Sequence, residues 1–248
     1  MNGKSAGIFC AALLGGTSWA ADPPITVQYR DKPPYSYTKD GKPSGFIIER
    51  TIAIFKLAKV DAVYEEIPVK RITRDIRANL TPICSPSWYK LPERELFARF
   101  SVPIHQDKPH IVLAGTHVLE KARAAKTLKE LFAMPDLRVG KVSGVSYGVE
   151  LDAMLNSAAL APMDSTVTPS GLVKMIALKR ADYMLIDQED LGWLRSDPEV
   201  ANLPLVRIEF ADMPRGELRY LACSQQVPVQ TMDKINQAIR DLAATNTD

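Results

Sequence analysis

The sequence predicts an α/β protein built from two successive units, on three observations. Strand-like apolar runs alternate with stretches of helical periodicity, the arrangement that builds parallel sheets covered by helices. That alternation restarts midway along the chain. With 248 residues, 46% of them hydrophobic and 24% charged, the chain can bury a sizeable core, which excludes disorder, collagen-like repeats and a disulfide-dense miniprotein.

The first unit opens with the strand-like run Ile25 to Tyr29, punctuated by Asp31-Lys32-Pro33-Pro34 and then by the turn Lys39-Asp40-Gly41-Lys42-Pro43. From Ile47 to Ala58, apolar residues recur at Ile48, Ile52 and Phe55 and at Ile47, Ile54 and Leu57, as on a buried helix. A strand from Ala62 to Ile67, a charged helix from Arg71 to Leu80 and short buried strands at Pro82 to Ser85 and Ile111 to Ala114 follow. The second unit reads as helix (Thr127 to Phe132), strand (Leu137 to Val142), helices near Gly148 to Leu155 and Gly171 to Leu178, and strand (Tyr183 to Ile186). No Gly/Ser-rich linker separates the units, so ordered strands are expected to join them.

Residues 1–20 carry a single charge at Lys4, an apolar stretch from Ala6 to Gly16 and small residues at Ser18 and Ala20, the pattern of a cleaved secretory signal peptide. The apolar stretch is far shorter than the roughly 20 residues of a spanning helix, so a soluble exported chain is expected. Lys+Arg 31 against Asp+Glu 29 leaves a formal charge of +2, too balanced for the counterion release that drives nucleic-acid binding. No nucleic-acid partner is implied. Cleavage would also remove Cys10 and leave Cys84 and Cys223, which are either a disulfide, permitted in an oxidising compartment, or two independent buried thiols. The spacing of His105, His110 and His117 fits no metal motif, and there is no phosphate loop, nucleophile elbow or Cys-x-x-Cys pair. Neither a metal nor a cofactor is expected.

Five motifs stand in order along the chain: Gly45-Phe46 after a Pro-Pro-Tyr turn, Pro92-Glu93-Arg94 with Phe100-Ser101 and Pro103-Ile104 behind it, Val139 to Gly144, Arg180 to Tyr183 with Asp187, and Tyr220-Leu221-Ala222. In this register they resemble the periplasmic solute-binding proteins of polar amino-acid ABC transporters, family 3. The resemblance implies a two-lobed type II periplasmic-binding-protein fold with two crossing hinge strands. Residues 21–107 and 216–248 would form lobe 1, and 108–215 lobe 2. It also places the strand of Cys84 beside the return strand of Cys223, which favours the disulfide.

A buried zwitterion needs a cation for its carboxylate and an anion for its ammonium. By the resemblance Arg94 grips the carboxylate with its planar fork, and Asp187, just past an apolar strand, takes the ammonium. Ser143 and Ser146 precede a helix and are expected to cradle a carboxylate. Val145 stands where the family usually has a hydroxyl residue. Tyr35, Trp88 and Tyr89 fall in cleft-lining segments, while Arg71 and Lys32 stand near usual aromatic positions and make the pocket more basic. The expected function is capture of a small polar or anionic solute, an amino acid in the first instance, by a periplasmic monomer that delivers it to an inner-membrane ABC permease. The alternative is an enzyme on the same scaffold, such as a cyclohexadienyl dehydratase-like lyase, with Glu189 or Asp190 as the acid.

Overall fold

The computed structural model describes residues 23–245, and the predicted signal peptide lies outside them. Two mixed β-sheets, each flanked by helices, divide the chain. In the first, strands run in the order Ala62–Glu66, Ile25–Tyr29, Ile83–Tyr89, Leu218–Cys223 and Arg99–Phe100, with His105–Gln106 also pairing Leu218–Cys223. In the second the order is Met163–Ser165, Val139–Val142, Tyr183–Ile186, Ile111–Gly115 and Leu205–Ile208.

The expectation of parallel sheets holds only where a helix intervenes between strands. Helix Phe46–Leu57 carries the chain from Ile25–Tyr29 to the parallel Ala62–Glu66, and helix Val69–Ala78 leads on to Ile83–Tyr89, also parallel to the first strand. Strands that enter from the other sheet run against their neighbours: Leu218–Cys223 is antiparallel to Ile83–Tyr89, and Ile111–Gly115 is antiparallel to Tyr183–Ile186.

Helix Phe46–Leu57 buries Ile47, Ile48, Ile54 and Phe55 as its periodicity predicts. Its cap, Gly45, has φ 112°, and a Cβ there would come within 2.7 Å of the carbonyl oxygens of Pro34 and Tyr35, so no other residue fits. The strand expected at Pro82 to Ser85 runs on to Tyr89. Opposite it, Tyr220 faces Trp88 and Ala222 faces Ser85, so Pro86 and Ser87 together oppose Leu221 in a β-bulge. A bulge is where a strand tolerates proline, which has no N–H for the ladder. Ser87 takes the left-handed conformation there (φ 70°).

The C-terminal helix Val229–Thr245 and the strand Leu205–Ile208 are absent from the periodicity reading. The helix buries Met232, Ile235, Ala238 and Ile239, a three-and-four spacing that was there to be read. It packs on Phe46–Leu57 over the first sheet. Cores of the second sheet lie on both of its faces. No helix among the described residues is long and apolar enough to cross a membrane.

The two sheets are joined where two segments cross side by side. His105 pairs with Arg219 and Gln106 with Leu218, and the Asp107 amide donates to the Glu217 carbonyl at 3.0 Å. A Cβ on Gly216 would lie 1.8 Å from the Asp107 carbonyl oxygen, so the second segment passes the first only as glycine. Cys84 and Cys223 face each other in register and form a disulfide. This bond ties the return strand to the central strand across 139 residues of sequence. Replacing both cysteines by alanine is expected to lower the unfolding free energy by about 3–5 kcal/mol, read as a fall in the urea midpoint. An unchanged midpoint would mean that the disulfide adds nothing to the stability supplied by the strand pairing around it.

Candidate functional site

Carboxyl ends of strands from both sheets converge on one cleft. Past Tyr29 come Arg30 and Lys32, past Val142 come Ser143 to Tyr147, and past Ile186 come Asp187 and Asp190. Beyond the last strand residue the backbone has no ladder partner, so loops and helix starts there can present side chains to a ligand. The cleft has a volume of about 390 Å³, enough for a solute of amino-acid size.

Its floor is set by Arg219, which is 3% exposed. Nε donates to Asp107 Oδ1 at 2.6 Å, Nη1 to Ser87 Oγ at 3.0 Å and Nη2 to the Tyr89 hydroxyl at 3.1 Å. The Tyr89 hydroxyl in turn donates to Asp107 Oδ2 at 2.6 Å. Ser87 is thus held in its left-handed conformation, a strain of order 1–3 kcal/mol, by the same guanidinium that orients Tyr89. The sequence reading missed Arg219 and Asp107. The signal available for Arg219 was a lone charge in an otherwise apolar strand.

Lys32 reaches across from the first sheet to the second. Its Nζ lies 3.3 Å from Asp187 Oδ2 and 3.1 Å from Asp190 Oδ2, and 3.9 Å above the Tyr35 ring. A tight turn positions it: the Lys32 carbonyl accepts from the Tyr35 and Ser36 amides, and its own amide donates to Ser36 O. Asp187 caps helix Gln188–Leu194, accepting from the Asp190 amide at 2.6 Å. Burial alone would raise Asp187, but Lys32 and the Asp190 donors outweigh it and hold this carboxyl well below the usual range. Burial pushes Asp190 up to about 7 against the pull of Lys32, with the adjacent Asp187 carboxylate adding to the rise.

The other expected residues divide. Arg94, on the short helix Pro92–Glu95, lines the cleft, donates to the Tyr89 carbonyl at 3.1 Å and sits 5.1 Å from the Trp88 ring centre. No described acidic side chain lies within ion-pair distance of it. Trp88, Tyr89 and Ser143 line the cleft as well. Tyr35 does not; it is fully buried beneath Lys32 and Arg219. Ser146 lines the cleft, but its hydroxyl donates to Asp152 at 2.5 Å, the Ser143 and Val145 amides go to Ser165 and Val142 carbonyls, and the helix starts only at Val149. The expected helix-end cradle is therefore already engaged within the protein.

Arg71 points away from the cleft, 61% exposed and paired with Asp75. Ile72 and Ile76 anchor helix Val69–Ala78 to the core, and this turns Lys70, Thr73 and Arg77, three and four apart, toward the cleft instead. Arg30 also lines it. His105 and His110 meet Phe46 and Tyr147 edge-on, and His117 contacts Asp182. Among the described residues no cluster of His, Cys, Asp or Glu is placed to hold a metal.

Two sheets joined by crossing strands, with a polar cleft at their facing edges, define a protein that encloses a small solute. The chain belongs to the bacterial extracellular solute-binding proteins, family 3, which it matches over residues 25–247. Among solved structures it is similar to the arginine-, lysine-, histidine-binding protein ArtJ of Geobacillus stearothermophilus, with 16% identity over 91% of both chains and a TM-score of 0.69. An ancestral arginine-binding protein shares 18% identity over 90% of this chain and 93% of its own, with a TM-score of 0.66. AncCDT-1, an ancestral amino acid-binding protein and precursor of cyclohexadienyl dehydratase, shares 18% over 90% of both chains, with a TM-score of 0.67. No curated protein matches the chain by sequence. The fold is that of a two-lobed type II periplasmic binding protein.

Asp190 makes the cleft sensitive to pH. Its carboxyl is raised in the folded state above an ordinary value of 3.8, so its contribution to stability is complete below that value and is lost as the pH rises through about 7. Asp187 acts in the opposite sense, its contribution disappearing as the pH falls below the ordinary carboxyl range. The melting temperature is expected to decline between pH 5 and 8 by an amount that Asp190→Asn removes. A decline of equal slope in the variant would assign it to other groups.

Proposed function

We propose that this chain captures a small polar or anionic solute bearing a carboxylate between two lobes and hands it to an ABC-type membrane permease. The observation that carries this reading is Arg94, a guanidinium at the cleft wall whose only hydrogen-bond acceptor among the described residues is a backbone carbonyl. Its fork is free to meet a carboxylate bidentately. Trp88 beside it offers an apolar face for the rest of the solute. Relatives of the same fold that bind arginine, lysine or histidine support a solute of amino-acid size.

Residues 108–215 form the second lobe in this reading and the flanking stretches the first, in keeping with the membership of the two sheets. Closure is a hinge motion about Val102–Lys108 and Met213–Arg219, and ligand contacts from both lobes shift the population toward the closed form. Export to the periplasm after removal of residues 1–20, and action there as a monomer, belong to the same proposal.

A second reading, a lyase on this scaffold, draws support from Asp190, an acid in the cleft held partly protonated near neutral pH, and from the likeness to a dehydratase precursor. Stabilisation by a solute without product favours binding, whereas turnover of a cyclohexadienyl acid favours the lyase.

A thermal-shift screen against amino acids, small dicarboxylates and aromatic acids tests the proposal. A cognate solute at 100 times its Kd stabilises by about 2.7 kcal/mol, and a screen with no shift for any carboxylate overturns it. With a solute in hand, Arg94→Ala is expected to cost about 3–5 kcal/mol of binding by calorimetry. Unchanged affinity would remove Arg94 from the site.

A further inference from the structure

We propose that the solute is a small carboxylate without an amino group, because Lys32 of the chain itself occupies the acidic pair that an ammonium would need. This rests on the reading of the cleft as a carboxylate site at Arg94 and narrows it to one class of solute.

Among the described residues, six cationic side chains line the cleft against three acids, Glu93, Asp187 and Asp190. The two acids from the second sheet are already matched. Lys32 Nζ lies within 3.3 Å of both, and Arg219 Nη2 stands 4.0 Å from Asp187. The lysine is no loose surface arm: its side chain is 16% exposed, and its backbone is fixed by the Lys32–Ser36 turn and its ammonium by the Tyr35 ring below. An incoming ammonium would have to expel it, leaving a lysine charge buried near Arg219 and Arg30 with no anion. Glu93 is exposed at the cleft wall beside Arg94, and an exposed carboxylate gains little from pairing with an ammonium.

On the cationic side the balance is reversed. Arg94 and Arg30 line the cleft, and no described carboxylate lies within ion-pair distance of either. The cavity of about 390 Å³ persists with the Lys32 pair formed, so an anion and the internal pair can be present together. The structure therefore offers positive charge to a solute and withholds negative charge from it. 2-Oxo acids and dicarboxylates fit this balance better than zwitterions.

The test uses pairs of solutes that differ only at the α-position: 2-oxoglutarate with L-glutamate, pyruvate with L-alanine, and phenylpyruvate with L-phenylalanine. They are titrated calorimetrically into the exported chain. The amino-free member is expected to bind at least tenfold tighter in whichever pair binds. Lys32→Met keeps the aliphatic stem and opens the acids, and it is expected to shift that ratio at least tenfold toward the amino acid. Tighter or equal binding of the amino acid by the wild-type protein overturns the inference and leaves the Arg94 site standing, and this comparison needs no variant to fold. A ratio unmoved in a folded Lys32→Met protein also overturns it. Absence of binding by both members of every pair removes the carboxylate reading itself, and the inference with it.

Discussion

The cleft is organised by one guanidinium buried where the two connecting segments cross. Arg219 cannot leave its charge unpaired away from water, and its neighbours answer that demand from three parts of the chain. Asp107 comes from the outgoing segment, Ser87 and Tyr89 from the central strand, and Tyr35 from the turn after the first strand. Satisfying Arg219 fixes the bulge at Ser87, and with it the direction in which Trp88 and Tyr89 enter the cleft. The disulfide between Cys84 and Cys223 holds the same two strands a few residues further on. The cleft wall at Trp88 and Tyr89 is thus tied to the crossing segments by hydrogen bonds and by a covalent link.

The second lobe brings its acids to this floor by helix capping. Asp187 ends an apolar strand and begins a helix, and its carboxylate accepts from the Asp190 amide, which aligns both acids toward Lys32. The ion pairs they form span the two sheets, so one set of contacts both neutralises the acids and draws the lobes together. Because the pairs are nearly dry, a charge left there without its partner would cost far more than one left in water. A solute that disturbed them would lose interlobe contacts while gaining its own.

Much of the fold was legible because apolar periodicity records which face of an element is buried. Helix Phe46–Leu57 and strand Tyr183–Ile186 lie within a residue of their expected ends. Strand direction was less legible, since a strand reads the same whether its partner runs with or against it. The site was legible in part. Arg94 and Asp187, taken from motifs in register, do line the cleft. Arg71 was misplaced because the rotation of its helix is set by Ile72 and Ile76, and a charged run does not reveal which of its members that rotation carries inward. Ser146 has a local partner, Asp152, that no motif announces.

The sequence by itself determined the α/β class and the two units, which depend on composition and on neighbours along the chain, and its resemblance to a family put a guanidinium and an acid at the motif positions. Only the tertiary structure decided that Lys32 meets Asp187 and Asp190, 155 residues away in sequence for Asp187, and that Arg219 closes the floor. Charges interact through space with a strength set by burial and distance, and neither quantity exists until the sheets have been brought face to face.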